Sequence, residues 1–278
     1  MQLGTTYVDV VSDGTYHVDG GAVFGLVPRV EWEFYLKPDR KNRVRLGLNC
    51  LLIRMPNMNI LVGTGAGTKQ ADKLKDTYGL NGNKLQKGLK KLGITSRDID
   101  FVILPNLQFD TVGGATKLDR SGNVVPTFQK AKHLVQRAAW DEANSVTERN
   151  RKLYNADDFV PLEEQGLLTL LDEDYQIAPG VRTQVTGGYT AGHQIVLVEV
   201  GSERIAFMSN LIPTPFHTAL PTISAFDKDP SAVLEQKRRI VGMAVSEGWL
   251  MIFGHAQEQV GAYIEERNGK SQLLPVAI

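Results

Sequence analysis

Two short, uninterrupted apolar runs limit the folds open to this sequence. Residues 101–104 are followed at once by Pro105, and residues 249–253 are followed by Gly254 and His255. Runs of this length are too short for a buried helix and are typical of strands covered on both faces. The sequence therefore predicts a buried strand in each half, with loops at the carboxyl ends that can carry functional side chains.

The segments between these runs alternate between strand and helix patterns. Residues 48–54 and 60–62 flank a polar turn and predict a hairpin. Residues 231–247 form the longest helical pattern, with apolar side chains on one stripe. Further strands are predicted at 7–11, 133–135, 180–186, 194–200 and 204–208, a turn at Asp13-Gly14, and further helices at 69–77, 84–92 and 137–144. This alternation predicts an α/β fold with sheets packed face to face and helices outside, in a single domain of residues 1–278.

Composition narrows the class of protein. The chain has 31 basic and 31 acidic residues, which argues against nucleic acid or an anionic membrane as a partner. Its single cysteine, Cys50, cannot form an internal disulfide. The first residues lack the features of a signal peptide, and no apolar run reaches membrane-spanning length. We therefore expect a soluble cytoplasmic protein, with the basic residues at 84–91 and 237–239 on solvated helix faces.

Four polar loops follow predicted strands and hold most of the residues that could carry chemistry. They span residues 104–114, 186–193, 207–214 and 252–258. Their polar residues are, in chain order, Asn106, Gln108, Asp110 and Thr111; Tyr189 and His193; Asn210; and His255.

The order and spacing of these loops resemble the motifs of the metallo-β-lactamase superfamily, and the surrounding scaffold resembles its lactonase-like branch. The family motifs are His-x-His-x-Asp-His before Gly-Gly, then Gly-His-Thr-x-Gly-His, then Gly-Asp, then a late histidine. The scaffold resemblance lies at residues 48–53, 64–65, 135–138 and 211–214. It implies an αββα sandwich of two packed mixed sheets with helices outside. It also implies hydrolysis of lactones or esters with two zinc or similar divalent ions.

Carried over position by position, the resemblance places uncharged side chains at most ligand positions. Family members hold their metals with five histidines and two aspartates, of which Asp110 and His255 remain here. The replaced positions are Asn106, Gln108, Thr111, Tyr189 and Asn210. Amide oxygens, a hydroxyl and a protonated phenol are poor zinc ligands, and Asn210 removes the anionic bridge between the cations. We predict no metal cofactor, with Asp110 and His255 as the weak candidate ligands.

Three functions stay open from the sequence. The first is a metal-free pseudoenzyme that binds a small molecule or a partner in the former metal cleft, where Asp110 and His255 form a charge-assisted hydrogen bond, directly or through one water. The second is a hydrolase with an atypical single-metal or metal-independent site, with Tyr189 as a candidate general acid. The third is an interaction protein, such as a homodimer formed through the aromatic-rich stretch 24–35.

Structural roles compete with these functional ones. Asp110 could cap the following helix, and His255 could be a strand-end histidine satisfied by nearby backbone. His193, like His17 and His133, is expected to be structural, whereas His217 fits either the mouth of a cleft or the surface. The glycine-rich segment 63–67 is expected to be a tight turn, because it lacks a complete phosphate-binding motif.

Overall fold

The computed structural model describes residues 1–81, 84–267 and 270–278 as two compact units. Unit 1 comprises Met1–Tyr16 and Leu48–Glu173, and unit 2 comprises His17–Gly47 and Asp174–Ile278. Two seven-stranded mixed sheets, accompanied by helices, confirm the α/β class. The single domain predicted over residues 1–278 remains a prediction.

The strands of the described residues are short except for β2 and β3. In chain order they are β1 Gln2–Leu3, β2 Thr6–Asp19, β3 Arg43–Met55, β4 Met58–Val62, β5 Phe101–Ile103, β6 Thr116–Leu118, β7 Val124–Pro126, β8 Lys132–Gln136, β9 Leu168–Leu171, β10 Gln176–Ala178, β11 Val181–Val185, β12 Gln194–Val200, β13 Glu203–Phe207, β14 Leu250–Ile252, β15 Gly261–Arg267 and β16 Lys270–Val276.

Most of the helices are one or two turns long, and one is much longer. They are α1 Gly20–Phe24, α2 Arg29–Trp32, α3 Ala71–Tyr78, α4 Leu85–Lys91, α5 Phe109–Val112, α6 Arg137–Asn144, α7 Val160–Glu164 and α8 Pro230–Glu247. None of the helices that the structure describes combines the length and the hydropathy needed to cross a lipid bilayer.

The first sheet has the strand order β1-β2-β3-β4-β5-β8-β9. Strand β5 pairs in parallel with β4 on one side and β8 on the other, with Val102 opposite both Leu61 and His133. A strand between two parallel neighbours is covered on both faces, which explains its uninterrupted apolar sequence. The predicted strand at 101–104 is confirmed, and its carboxyl end leads directly into the first polar loop.

The second sheet lies within unit 2 and has the order β10-β11-β12-β13-β14-β15-β16. Only the β13–β14 pairing is parallel among the described strands of this sheet. The predicted hairpin of β12 and β13 is confirmed, with Val198 opposite Ile205. The hairpin of β15 and β16 is absent from the sequence-based prediction and completes the sheet.

Helix α8 begins and ends as its sequence predicts, but one of its lysines is buried. The Asp229 carboxylate accepts the backbone N–H groups of Ser231 and Ala232, and Gly248 ends the helix at φ 70°. Lys237 is fully buried, so its prediction as part of a solvated face is wrong. The physical reason is the helical period: residues 233, 237, 240 and 244 share one face.

The buried Lys237 ammonium is fixed by backbone carbonyls. Its Nζ donates to the carbonyl oxygens of Ala219 at 2.8 Å, Leu220 at 3.3 Å and Thr222 at 2.7 Å. Burial lowers the pKa of Lys237 to about 8, and the nearby Asp227 opposes that shift. A lysine on an apolar stripe therefore anchors the loop before α8, whereas the lysines at 84–91 are exposed as predicted.

The turn predicted at Asp13-Gly14 is wrong, because β2 runs through both residues. Asp13 is buried, and its carboxylate accepts the backbone N–H groups of Gly67, Lys84 and Leu85. The Asp13 carboxylate is thus a buried anion that stabilises the glycine-rich turn and the start of α4. The carboxylate accepts the Gly67 backbone N–H, which a bound phosphate would otherwise need. This contact agrees with the predicted tight turn.

Candidate functional site

The first polar loop turns the chain from β5 into α5 within unit 1. Asn106 is fully buried, and its Oδ1 accepts the backbone N–H of Gln108 at 2.9 Å. Thr111 is buried, and its carbonyl oxygen accepts the backbone N–H and the hydroxyl of Thr64. The Asn106 bond stabilises the turn locally, whereas Thr111 joins the loop to a segment 47 positions earlier in the chain.

Two glycines after α5 let this loop lie against the glycine-rich turn. A Cβ atom on Gly113 would lie 2.3 Å from the carbonyl oxygen of Ala66, and one on Gly114 would lie 2.2 Å from that of Thr64. Both distances are far inside van der Waals contact, so only glycine permits this approach. The Gly-Gly pair therefore sets the position of α5 and of the side chain of Asp110.

Tyrosine side chains gather around Asp110. The Tyr16 hydroxyl donates to Asp110 Oδ2 at 3.0 Å, and this hydrogen bond is buried. Burial raises the pKa of Tyr78, and the negative charge of Asp110 adds to the rise. Burial also raises the pKa of Tyr154, to which Glu142 and Asp110 contribute. Tyr78 and Tyr154 therefore stay protonated at neutral pH.

The helix-capping alternative for Asp110 remains a prediction, and the described hydrogen bond of its carboxylate is to a distant segment. Asp110 lies inside α5, and Gln108 occupies the N-cap position without a side-chain capping bond. Tyr16 is 94 positions away in the chain, and no local pattern connects it with Asp110. Sequence motifs therefore do not indicate Tyr16 as a partner of this carboxylate.

The second polar loop, in unit 2, holds Tyr189 and His193. Tyr189 is 6% exposed, and its ring meets that of His193 edge-on at a centroid distance of 5.6 Å. His193 Nδ1 lies 2.7 Å from the Thr186 hydroxyl. Burial lowers the pKa of His193 to about 3, so its ring is neutral at physiological pH. The prediction of His193 as a buried, hydrogen-bonded histidine is confirmed.

The third and fourth loops, also in unit 2, bring Asn210 and His255 together. Asn210 Nδ2 lies 3.0 Å from His255 Nε2, and Asn210 Oδ1 accepts the Ser209 hydroxyl at 3.0 Å. Ser209 has φ 47°, a left-handed conformation that disfavours most side chains. In the resemblance described above, the family places glycine at this position, which is the one signal in the sequence for this strained turn.

The hydrogen bonds of His255 define its tautomer. Nδ1 lies 2.9 Å from the carbonyl oxygen of Gly47, which can only accept, so Nδ1 carries the hydrogen. In the neutral ring, Nε2 then accepts from the amide N–H of Asn210. The lone pair that a histidine offers to a metal is therefore directed at an amide hydrogen.

The family's metals provide a test of this donor set. Zinc binds imidazole nitrogen at about 2.0–2.1 Å. In this structure the Asn210 amide nitrogen lies 3.0 Å from His255 Nε2, which is the nitrogen that a zinc ion would need. Asp110 Oδ2 is hydrogen-bonded to a phenol. Over residues 1–81, 84–267 and 270–278, no three His, Cys, Asp or Glu side chains form a group that could hold a metal ion. These residues do not fit a pair of transition-metal ions without rearrangement.

The structure places the predicted site residues in four groups, one of which is Tyr189 against His193. Asn106, Gln108 and Thr111 hold the first loop, Asp110 contacts Tyr16, and Asn210 contacts His255. The hydrogen bond predicted between Asp110 and His255 joins residues of different units and remains a prediction. The assignment of all seven positions to one ligand-binding cleft also remains a prediction.

His217 is buried, which excludes the surface position predicted as one alternative for it. It is 2% exposed, its Nδ1 lies 2.7 Å from the Thr214 hydroxyl, and its Nε2 donates to the Val23 carbonyl. Its ring stacks on Phe24 at 5.5 Å. Burial lowers its pKa to about 4. His217 is thus a structural residue of unit 2, and its placement on the surface is wrong.

The chain is similar in sequence to proteins of one known superfamily. A family model described as the metallo-beta-lactamase superfamily matches residues 43–255. An N-acyl homoserine lactonase of Bacillus cereus is 24% identical over 206 residues, covering 73% of this chain and 72% of the lactonase. The lactonase AiiA of Bacillus thuringiensis subsp. kurstaki is 26% identical over 174 residues, covering 62% of this chain and 61% of AiiA.

Solved structures share the fold over the full chain. A probable metal-dependent hydrolase from Staphylococcus aureus is 24% identical with a TM-score of 0.89, and each chain is covered completely. AidC, a dizinc quorum-quenching lactonase, is 17% identical with a TM-score of 0.82, covering 100% of this chain and 97% of AidC. At these identities the likeness concerns the fold alone.

Proposed function

Because the chain belongs to the metallo-β-lactamase superfamily, we propose that it is a metal-free relative of the superfamily's hydrolases that binds a small molecule through its altered polar residues. The observation that carries the proposal is the amide of Asn210 donating to the one available nitrogen of His255. This hydrogen bond occupies the nitrogen that a metal would need, which supports a site without a cation.

The replaced side chains favour binding over hydrolysis. When metals are bound in the family's sites, they lower the pKa of water to about 7 and so supply the nucleophile. In this chain Asn106 and Asn210 carry no charge, and Tyr189 is a buried phenol. Polar, uncharged groups of this kind recognise a ligand by hydrogen bonds but do not generate hydroxide.

Metal analysis tests this proposal directly. Protein purified without chelators, exposed to zinc and then desalted, is expected to carry far less than one equivalent of zinc, iron or manganese per chain. The matched variant restores the five ligand positions together: Asn106→His, Gln108→His, Thr111→His, Tyr189→His and Asn210→Asp. That variant is expected to retain metal, because it regains imidazole and carboxylate donors.

Two outcomes would reverse the proposal. Stoichiometric metal in the unaltered protein, held through Asp110 or His255, would favour the atypical single-metal hydrolase. Hydrolysis of acyl-lactones by the unaltered, metal-free protein would favour a metal-independent site, and loss of that hydrolysis in a Tyr189→Phe variant would identify the general acid.

A specific observation favours a second role, self-association through unit 2. We propose that Leu26, Val30 and Phe34, whose exposed fractions are 98%, 69% and 83%, contact the same residues of a second copy. The Arg29–Glu33 ion pair on this segment contributes one charge of each sign. A two-fold arrangement can therefore place opposite charges together, as an isologous interface requires.

Sedimentation velocity tests this second role. The unaltered protein is expected to sediment as a dimer, and a Leu26→Ser/Phe34→Ser variant as a monomer, because the variant lacks the apolar contact surface. The control variant Leu118→Ser/Val146→Ser changes exposed apolar residues elsewhere and is expected to leave the dimer intact. A monomeric unaltered protein at high micromolar concentration contradicts the proposal.

A further inference from the structure

A cavity of about 250 Å³ lies wholly within unit 2. Its lining includes Tyr35, Lys37, Arg45, Phe216 and His255. We propose that this cavity binds a small organic carboxylate that carries a single ring or a short acyl chain. The lining includes none of the five replaced polar residues, so the inference goes beyond the proposed function.

An aromatic pair forms the apolar wall of the cavity. The rings of Tyr35 and Phe216 stack with their centroids 4.9 Å apart and their planes at 22°. Leu46 and Pro215, both buried, add to the apolar lining. Flat, partly exposed aromatic faces bind rings and acyl chains with little loss of side-chain entropy. Pockets for drug-sized ligands measure about 300–1,000 Å³, so the occupant here is smaller.

The charged residues of the lining favour an anion. Lys37 and Arg45 both line the cavity, and Glu258 is the one carboxylate among the lining residues. An arginine guanidinium can bind a carboxylate through two parallel hydrogen bonds, and a lysine ammonium adds a point charge. Both side chains are exposed, so they can reach a ligand at the cavity mouth.

The hydrogen bonds of His255 set the orientation of the ligand. Nδ1 of this ring is bonded to the Gly47 carbonyl, and Nε2 faces the amide of Asn210. Both ring nitrogens of His255 therefore have partners within the protein, and we assign neither to the ligand. The carboxylate of the ligand is consequently placed at Lys37 and Arg45, and its apolar part against the stacked aromatic pair.

Calorimetric titration with chosen probes tests this inference. Phenylacetate and hexanoate are the charged probes, and phenylacetamide and hexanamide are their neutral counterparts of nearly equal size. The carboxylates are expected to bind saturably, and each amide at least about tenfold more weakly, because it lacks the charge-assisted hydrogen bonds.

Matched variants identify the cations that are responsible. Lys37→Gln/Arg45→Gln is expected to weaken carboxylate binding about tenfold or more, and Glu258→Gln to strengthen it. The control Arg40→Gln/Lys41→Gln removes the same charge from exposed residues of the same segment outside the lining. It is expected to change the dissociation constant by less than about twofold. Tyr35→Ser tests the aromatic wall independently and is expected to weaken both carboxylates.

Three results of these titrations would overturn the inference. Absence of probe binding, equal binding of acids and amides, or equal weakening by the two double variants overturns the inference. Metal analysis of the same preparation separates it from the proposed function. If the protein holds stoichiometric metal and carboxylate binding still depends on Lys37 and Arg45, the proposed metal-free function is wrong and the proposed carboxylate site stands. If the protein is metal-free and binds none of the probes, only the proposed carboxylate site is wrong.

Discussion

Replacing Lys69 with methionine is expected to lower the free energy of unfolding by about 3–5 kcal/mol, as for other buried ion pairs that lose one partner. Lys69 and Asp158 are 3% and 1% exposed, and Lys69 Nζ lies 3.0 Å from Asp158 Oδ1. The same ammonium donates to the carbonyl oxygens of Gly113 at 2.6 Å and Thr116 at 2.9 Å. The variant would leave a buried carboxylate and two buried carbonyls without this cation.

The size of the loss should depend on pH. Burial raises the pKa of Asp158 even though Lys69 opposes the rise, so the carboxyl group gains a proton readily once the cation is gone. Below the pKa that Asp158 then has, the deficit should shrink because the buried group becomes neutral. Urea unfolding followed by circular dichroism at neutral pH and at about pH 5 measures both effects.

Two comparisons check this explanation. A Lys69→Met/Asp158→Asn variant should be more stable than Lys69→Met alone, because no buried charge remains. Arg137→Met breaks the exposed Arg137–Asp172 pair, whose side chains are 51% and 67% exposed, and should leave the unfolding midpoint nearly unchanged. Equal losses in Lys69→Met and Arg137→Met would contradict the role assigned to burial.

The protein is expected to lose stability steeply as the pH falls from about 7 to about 5. Burial lowers the pKa of His133 to about 4, of His193 to about 3 and of His217 to about 4. The unfolded chain protonates the same residues near pH 6.5, an ordinary histidine value. Between those values the unfolded state binds more protons, so acid favours unfolding.

The sign and the magnitude follow from proton linkage. A histidine whose folded pKa is lowered contributes stability that is fully present above the unfolded pKa and is lost as the pH falls toward the folded pKa. Each such histidine contributes a slope of about 1.4 kcal/mol per pH unit within that window. Three together give up to about 4 kcal/mol per pH unit, and Asp227, whose pKa burial raises to about 6, offsets the share of about one histidine below that pH.

Unfolding free energies measured over this pH range test the prediction. A His133→Phe variant replaces a buried imidazole with a ring that cannot titrate, and should reduce the slope by about one third. Imidazole proton resonances of the folded protein should show no titration of these three residues above about pH 5. A stability that stays constant down to that pH would contradict the assignment of neutral, buried histidines.

Part of the fold could be predicted from local patterns. The helix predicted at 137–144 is α6, Arg137–Asn144, and the buried strands at 101–104 and 249–253 appear as β5 and β14. Such elements follow from residue propensity and apolar periodicity, which act over a few neighbouring residues. The turn predicted at Asp13-Gly14 failed because the buried Asp13 carboxylate binds backbone N–H groups more than fifty residues away.

The candidate site, like the fold, could be predicted only in part from the sequence. Motif order gave the predicted site residues, because residue identity at each position is a property of the sequence. The partners of those residues came from distant segments: Tyr16 on Asp110, and Gly47 on His255. Hydrogen bonds of this kind depend on atomic positions that no local pattern encodes.

The sequence alone indicated the family and the α/β class, because both depend on the order and the type of residues. The tertiary structure decided that the remaining nitrogen of His255 faces an amide, that Lys237 is buried, and that Tyr35, Phe216, Lys37 and Arg45 surround one cavity. The physical reason is that charge, burial and hydrogen bonding are set by neighbours in space, which folding brings together from distant parts of the chain.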